Sequence, residues 1–397
     1  MKRLRQYKNY VFVSIILALC AILLIMPDVF STPYQQKVDR QLARVLEVDN
    51  SLVNQYGIVK AGSQKLHVEI VRGPLKGQTM EAGNDLLGKM ETDKMFRVGD
   101  QVFVVISQVD DRIINAIAYD HDRTGAEIIL VAIFALLLIG FAGWSGVRAL
   151  LSFAFALVVM WRVLFPLILQ GIDPVWIALA VVAAIAAVTI FLVAGVGRLA
   201  LVALLGSLLG VLLTMVLAIF ILPFYKLHGA VQPYSETLLY SGFEHLNLTR
   251  IFLAAIFIGG SGAVMDVAID VSTAMYEVIQ KRPDLPRREL IYSGFNVGRN
   301  MISTMVTTLL MAYVSGYMAL LMVFMAQGIP PTYALNTNFV GAEILKMVVG
   351  SLGLVTVAPF TAIIGGLIYV RKSGNRSVIA VKEIPQPEFV ESGSGEK

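Results

Sequence analysis

The chain has 397 residues, of which 57% are hydrophobic and only 15% charged, and its formal net charge is +4. A soluble fold of this size could not bury so much apolar surface, so the composition predicts an integral membrane protein whose main partner is the lipid bilayer. Lys and Arg stand at the ends of apolar runs and form no stripe with interleaved aromatic residues, which argues against nucleic acid as a partner. The single cysteine, Cys20, leaves no intramolecular disulfide and no cysteine-based metal site.

The N-terminal segment begins with the basic sequence MKRLRQYKNY and continues into a run of apolar residues. This pattern is typical of a signal peptide or a signal anchor. Because the following PDVFSTPYQQ offers no small-x-small cleavage site, we favour an uncleaved transmembrane anchor over residues 10–27, with residues 1–9 in the cytoplasm. Either interpretation places the next segment outside the cytoplasm.

Residues 34–122 have a different composition, in which charged residues, Gly and Asn separate alternating apolar residues. In QKLHVEIV, Leu66, Val68 and Ile70 share one face of a half-buried strand, and QVFVVIS alternates in the same way. About five or six short strands predict a small extracytoplasmic β-barrel-like domain of OB or SH3 type. We interpret it as a folded cap or a module that docks a partner, rather than as a ligand-binding domain.

Long apolar runs then follow one another to the end of the chain, each able to cross about 30 Å of hydrocarbon. They cover residues 126–143, 147–169, 174–196, 199–222, 250–277, 299–326 and 341–370. With the anchor they predict an α-helical polytopic membrane bundle of about eight transmembrane helices, seven of them in a domain over residues 125–371. Lys and Arg concentrate at the N-terminus, in the loop KRPDLPRRE and in the tail, so both termini are expected in the cytoplasm. The polar tail, residues 372–397, is expected to be disordered.

The sixth span carries acidic residues at helical spacing. Asp266 and Asp270 lie at i and i+4 on one face, and Glu277 continues their line toward the cytoplasm. An ionisable side chain in hydrocarbon costs about 2.5 kcal/mol or more, so two close acids would share a proton or hold a cation between them. This favours proton coupling or cation passage. The alternative is that the span ends near Val271, where only Asp266 is buried and pairs with a neighbouring helix.

A run of small residues, Gly259-Gly260-Ser261-Gly262, precedes these acids. Small residues let another helix backbone approach closely, and glycines also occur where a transmembrane helix breaks at a site. The run therefore predicts a tight helix contact or a helix break.

The seventh span supplies polar residues that could partner the acids. Asn296, Asn300, Ser303 and Thr307 follow one another at spacings of three or four and therefore form one polar helix face. Arg299 lies at about the depth of the acids, so an ion pair with Asp266 or Asp270 is geometrically reasonable. Together the two spans provide the transport-site candidates, namely Asp266, Asp270, Glu277, Asn296, Arg299, Asn300, Ser303 and Thr307.

Three other charged residues in the spans receive simpler interpretations. Glu343 and Lys346 stand at i and i+3 near the start of the last span, where each neutralises the other. Arg162 either snorkels to the membrane surface or pairs with Asp173. The chain carries no Walker A sequence, no HExxH and no GxSxG, so we expect no enzyme activity, no cofactor and no metal site.

The sixth and seventh spans, GAVMDVAIDVSTAMYEV and YSGFNVGRNMISTMVTTLLMAY, resemble the core signature of the YibE/F-like family of bacterial multi-pass membrane proteins. That signature consists of a Gly-rich turn, Asp-Val-Ala, a short cytoplasmic loop, and a Ser-Gly, Gly-Arg helix that ends in Leu-Ala-Tyr. Asp266, Gly298 and Arg299 match it position by position. The span count and the extra domain after an N-terminal anchor are also similar to family members, so the resemblance covers most of the chain.

Three positions depart from the pattern of that family. Asp270 replaces a small hydroxyl residue, Asn300 stands where an acid is common, and Thr307 stands where Asn is common. An acid has thus moved from the seventh span to the sixth. The family is similar to permease components encoded as neighbouring paralogues, which implies a homo-oligomer or a paralogous membrane partner.

Two functions remain open at this point. The first is a permease or secondary transporter in the bacterial cytoplasmic membrane, which moves a small solute or ion through a polar site in the cytoplasmic half. Asp266, Asp270, Arg299 and Asn300 would form that site. The second is a membrane sensor or assembly scaffold whose outer β domain binds a partner.

Overall fold

The computed structural model describes residues 2–26, 38–109 and 112–370. Within these residues the chain forms an N-terminal helix, a β-barrel and a bundle of helices, in that order. The predicted fold class, a helical membrane bundle with a small barrel domain, is confirmed. The predicted disordered tail lies outside the described residues.

Five strands close the barrel in the order β1-β2-β3-β5-β4. They are β1 (Val38–Tyr56), β2 (Val59–Ile70), β3 (Thr79–Leu87), β4 (Gln101–Val109) and β5 (Arg112–His121). Neighbouring strands are antiparallel except β3 and β5, which pair in parallel. A barrel of five strands fits the OB alternative of the prediction.

The alternating apolar and polar residues of the predicted strands point into the barrel and onto its surface, respectively. The apolar residues of QKLHVEIV and QVFVVIS are almost fully buried because successive side chains of a strand point to opposite faces. These residues are Leu66, Val68, Ile70, Val102, Val104 and Ile106.

Two buried amides complete the barrel interior. Gln64 donates to the Phe96 carbonyl at 3.0 Å and accepts from the Phe96 N–H at 3.1 Å. Asn84 donates to the Gln64 side-chain oxygen at 3.1 Å and to the Lys94 carbonyl at 2.6 Å. The two side chains therefore hold the segment between β3 and β4 against the barrel while remaining hydrogen-bonded themselves.

The helices outside the barrel differ widely in length. They are α1 (Lys2–Ile25), α2 (Thr124–Ala142), α3 (Trp144–Val159), α4 (Phe165–Leu169), α5 (Pro174–Ala194), α6 (Arg198–Tyr225), α7 (Ser235–Tyr240), α8 (Leu248–Lys281), α9 (Arg287–Ala326), α10 (Pro331–Leu335) and α11 (Asn338–Tyr369). A π-helical turn joins α3 to α4, so the two form one continuous span. Among the described residues, seven helices are long and apolar enough to cross a membrane, in agreement with the seven runs predicted after the barrel.

Helix α1 packs on the bundle. Its apolar part, Val11–Ile25, is shorter than the seven long spans, so the anchor over residues 10–27 stays a prediction. Val13, Ile16 and Cys20 are nonetheless buried in the core of the bundle. At the end of the helix, the Leu24 carbonyl accepts a hydrogen bond of 3.1 Å from the Arg162 guanidinium.

The largest difference from the predicted spans lies in α9, which begins at Arg287 rather than at residue 299. Its first three turns mix charged and polar residues with apolar ones, so they do not stand out as an apolar run. With 40 residues, α9 is about 60 Å long at 1.5 Å per residue, twice the thickness of the hydrocarbon. Part of α9 therefore extends beyond the membrane.

Helices α6, α8 and α11 form the centre of the bundle through close contacts at small residues. A Cβ atom added to Gly260 of α8 would lie 3.2 Å from the Cα of Gly350 in α11. Gly353 of α11 lies directly against Thr214 of α6. Membrane helices pack in this way because the bilayer provides little hydrophobic force to bring them together. Since α8 is continuous, the glycine run serves a tight contact and does not break the helix.

The boundary of the hydrocarbon can be located on this bundle. Helix α5 has 21 residues and is about 31 Å long, close to the thickness of the hydrocarbon, so we take its last residue, Ala194, as an approximate boundary. Next to that point, the Ser272 hydroxyl donates to the Leu199 carbonyl at 2.9 Å and shares a hydrogen bond of 2.6 Å with the Tyr369 hydroxyl. We call this side of the bundle, where α8 and α9 are connected, the loop end, and the opposite side the far end.

Candidate functional site

The predicted acids of α8 form one exposed line. Asp266, Asp270 and Glu277 are separated by four and seven residues, which places them on one helix face. All three are exposed on the surface of the chain, whereas Met265, Val267 and Val271 beside the two aspartates are buried. We call these three residues the acidic line.

The acidic line enters the hydrocarbon from the loop end. Asp270 is two residues from Ser272 and Asp266 is six, which corresponds to about 3 Å and about 9 Å along the helix axis. Asp266 therefore lies within the apolar layer, and Glu277 lies on the other side of its boundary. Asp266 is exposed and makes no ion pair or hydrogen bond to any described residue, so the pairing with a neighbouring helix that the alternative included is not formed.

The predicted polar face of α9 is also exposed. Asn296, Asn300, Ser303 and Thr307 all lie on the surface of the chain, and we call them the α9 polar face. They point away from the bundle because α9 packs on it through the opposite side. That packed side consists of Leu290, Gly294, Gly298 and Leu309.

Contacts at Gly298 set the depth of the α9 polar face. A Cβ atom at Gly298 would lie 2.5 Å from the Cβ of Ala358 and 3.7 Å from the Cγ2 of Val271 in α8. Arg299 is therefore level with Asp270, as predicted. Thr307 lies nine residues beyond Gly298, about 13 Å further into the apolar layer.

The polar atoms of α9 have few partners. The Ser303 hydroxyl donates to the Asn300 carbonyl at 2.9 Å, and the Thr307 hydroxyl donates to the Ser303 carbonyl at 3.3 Å, so both bond within their own helix. The side chains of Asn296, Asn300 and Arg299 make no hydrogen bond or ion pair to the part of the chain that the structure describes. The predicted pair of Arg299 with Asp266 or Asp270 is therefore not formed.

A second polar cluster lies toward the far end. Glu343 and Lys346 of α11 form the ion pair that their spacing predicted. The Tyr317 hydroxyl of α9 donates to a Glu343 oxygen at 2.7 Å, and the Lys346 ammonium donates to the Gln232 side-chain oxygen at 3.4 Å. Glu343 is only 8% exposed, so the cluster stabilises a carboxylate inside the protein. Tyr317 and Gln232 come from distant parts of the chain, and no spacing in the sequence could have identified them.

Tyr313 of α9 lies between the acidic line of α8 and the polar cluster around Glu343. A Cβ atom at Gly259 would lie 2.5 Å from the Tyr313 hydroxyl, and Gly259 stands seven residues before Asp266 on the same face of α8. Tyr313 is four residues before Tyr317 in α9. Tyr313 therefore lies against the face of α8 that carries the acidic line.

Of the two interpretations of Arg162, the pair with Asp173 is not formed. Asp173 forms its ion pair with Arg250 at 2.5 Å, at the beginning of α8, while Arg162 bonds to the end of α1. Both contacts hold helix ends together and lie apart from the acidic line.

The acids alone do not make a metal centre. Among the described residues, no three side chains of His, Cys, Asp or Glu are grouped as metal ligands would be. A cation held between Asp266 and Asp270 would need further oxygen ligands, which carbonyl, amide or hydroxyl groups provide. The α9 polar face carries such groups at matching depth.

The comparisons with known proteins agree with these elements. A family model described as YibE/F-like protein matches residues 130–371, more than half of the chain, and one described as YibE/F family N-terminal domain matches residues 34–120. No curated protein and no solved structure matches the chain. The two matched regions correspond to the helical bundle and to the β-barrel.

Proposed function

Because the chain belongs to the YibE/F-like family, and because its bundle carries acids within the membrane, we propose that it is a permease-like transport protein of the bacterial cytoplasmic membrane. In this proposal both termini are cytoplasmic, so the loop end faces the cytoplasm. The transported species is a small ion or solute that moves along the acidic line. The observation that supports this most directly is the exposed position of Asp266 on α8, about 9 Å along the helix axis from Ser272.

The chemistry of the acidic line suits a cation or a proton. An acid within the hydrocarbon is expensive to leave charged and unpaired, so it binds a proton or a cation whenever one is within reach. Asp270, one helical turn away, adds a second oxygen donor group, and Glu277 beyond the boundary attracts cations toward the entrance. Arg299, Asn296 and Asn300 provide groups that would bind an anionic or polar part of a larger solute.

The proposal can be tested with purified protein reconstituted on a solid-supported membrane. Rapid concentration jumps of H⁺, Na⁺, K⁺, Mg²⁺ and inorganic phosphate would be applied in turn, and the charge moved into the liposomes recorded. We expect a current with one of these ions. Asp266→Asn should reduce it at least about tenfold, because the amide neither binds a proton nor carries the charge that holds a cation.

Glu244→Gln provides the matched control, since Glu244 is an exposed acid in the connection before α8 and lies outside the acidic line. This variant should retain the wild-type current. Equal amounts of the variants in the membrane would show that insertion is unaffected. Absence of current with every ion, or a wild-type current in Asp266→Asn, would refute transport of a small ion along the acidic line.

The second candidate, a sensor or assembly scaffold, is favoured by one feature of the barrel. The tip of the hairpin between β1 and β2 presents Tyr56 and Ile58, which are 67% and 82% exposed. Exposed apolar groups at such a tip suit the docking of another protein. A photo-crosslinking residue at position 58 in intact cells would give a discrete adduct if the barrel docks a partner. The same probe at the exposed Lys60 serves as the control, and no adduct at either position would argue against this function.

A further inference from the structure

Within the α9 polar face, the Ser303 and Thr307 hydroxyls bond inside their own helix, whereas the Asn300 amide cannot face lipid without a cost. Polar side chains within the hydrocarbon persist when they face protein or water, because each unsatisfied group there costs free energy. The side chains of Asn300 and Arg299 have no partner in the part of the chain that the structure describes, and Asn300 points away from the bundle. Something outside this single chain therefore covers the face.

The same face continues as a row of methionines toward the far end. Met311, Met318, Met322 and Met325 follow Thr307 at helical spacing and are 67%, 61%, 61% and 80% exposed. Methionine adapts to irregular partners and is common at binding surfaces. Of the described α9 residues beyond Met301, Leu309 alone is buried. One side of α9 is thus free over its whole transmembrane length, polar near the loop end and methionine-rich near the far end.

A second copy of this chain fits that face better than lipid because symmetry preserves depth. Two identical membrane proteins related by a two-fold axis along the membrane normal place each residue opposite residues at the same depth. Polar groups of one copy then lie at the depth of polar groups of the other, and methionines at the depth of methionines. The polar zones of the two copies would therefore lie at one depth and their apolar zones at another, and neither copy would need to tilt or shift along the membrane normal.

The same rotation matches charge and hydrogen-bonding groups. Asp270 is level with Arg299 and Asn300, and Asp266 lies deeper, level with Ser303 and Thr304. Acids on α8 and donors on α9 are complementary, yet within one copy they do not meet. The α9 polar face of a second copy supplies donors at the depth of both acids.

We propose that two copies of this chain associate through the exposed side of α9, so that the α9 polar face of one copy completes the site at the acidic line of the other. The role of that site in transport rests on the proposed function, whereas the interface rests only on the exposed side of α9. In the pair, the acids of one copy and the amides and hydroxyls of the other enclose a polar path that would otherwise open to lipid.

Crosslinking in native membranes tests the interface without any assay of transport. In a Cys20→Ala background, Met311→Cys and Met318→Cys would each place one thiol on the exposed side of α9. Leu136→Cys is the matched control, because Leu136 is 70% exposed on α2 and faces away from the bundle core. Oxidation with copper phenanthroline should give a dimer for both α9 variants and at most a trace for the α2 variant.

Several outcomes would overturn the interface. Equal crosslinking of the α2 and α9 variants would mean random collision, and no crosslinking on α9 would leave the face without a second copy. An adduct of α9 with a different protein would assign the face to another membrane helix. A dimer that gives no current with any ion would leave the interface standing and reject only the proposed function.

Mixing two variants, each expected to give little or no current when both sites of a pair carry its change, tests whether the site is shared between copies. Asp266→Asn changes only the acidic line, and Asn300→Leu changes only the α9 polar face. If the site is shared, a mixed pair contains one intact site, so random mixing should restore about a quarter of the wild-type current. If each copy contains a complete site of its own, both sites of the mixed pair are defective and no current returns, which would overturn the sharing.

Discussion

Helices α2 and α9 are both exposed along most of their length, and what they expose is different. No residue of α2 is buried, and its surface is apolar, with Leu136 and Phe141 70% and 97% exposed. Lipid satisfies such a surface completely. The exposed side of α9 carries amides, hydroxyls and an arginine at the loop end. In a membrane protein, exposure alone therefore does not identify what covers a helix. The chemistry of the exposed side distinguishes a surface that faces lipid from one that another protein covers.

The largest effect is expected where neither helix is involved, in the packed centre of the bundle. Gly353→Leu would force a side chain into Thr214 and separate α6 from α11. We expect a loss of roughly 4 kcal/mol or more, seen as the disappearance of folded protein in size-exclusion chromatography.

Gly316→Leu is the control for that substitution. Gly316 lies on α9, where nothing lies within 4 Å of an added Cβ atom, so this variant should fold. Loss of folded protein in Gly316→Leu would show that the side of α9 that carries Gly316 is packed, although no other described residue lies against it.

Moving a polar group onto α2 sharpens the comparison directly. Leu136→Asn would place an amide in lipid with no partner, and we expect it to destabilise the bundle by about 2 kcal/mol. Asn300→Leu on α9 should leave the melting temperature of the dispersed single chain nearly unchanged, because that amide has no partner within it. Thermal unfolding in detergent measures both. Equal destabilisation by the two variants would contradict the distinction between the helices.

A smaller effect is expected in the barrel, where an acid is paired and in contact with water. Burial tends to raise the pKa of Asp120, but the His121 N–H, Lys94 and Arg123 outweigh it and hold that pKa below its ordinary value. The folded-state pKa is thus lower than the unfolded one. The stabilisation is therefore complete above about pH 4, the ordinary Asp value, and is lost as the pH falls through the folded-state pKa.

Asp120→Asn should remove that stabilisation, about 1 kcal/mol at neutral pH, and flatten its pH dependence. Hydrogen exchange of the β5 amides, corrected for intrinsic rates, would report it at pH 7 and pH 3 in the full chain. Asp85→Asn, an exposed acid on β3, is the control and should change nothing. An unchanged protection of β5 in Asp120→Asn would show that its ion pairs contribute no stability.

The sequence predicted those features that depend on local periodicity. Strand alternation identified the buried side of QKLHVEIV, and apolar length identified the seven spans after the barrel. The spacing of Glu343 and Lys346 predicted their ion pair for the same reason. A spacing of three or four residues on a helix brings side chains together whatever the rest of the fold does.

Features that depend on the rotation of one helix against another could not be predicted. The depth of Arg299 relative to Asp270 was correct, because both helices leave the same short loop. Their pairing was not, since depth says nothing about which side of α9 packs on the bundle. The local signal for the packed side is the pair of glycines at 294 and 298, which belong to that side. Because they face the bundle, the amides of α9 point outward.

The length of α9 has a mechanical consequence. It is one unbroken rod of about 60 Å, packed on α11 through Gly294 and Gly298 against Ala362 and Ala358, and further along through Tyr317 against Glu343. A stiff rod that tilts about a contact acts as a lever, so a small tilt that releases the tyrosine at one side of the membrane shifts the loop-end segment of α9 at the other. Events on the two surfaces of the bilayer would then be linked through one element, with no chain of intermediate residues between them.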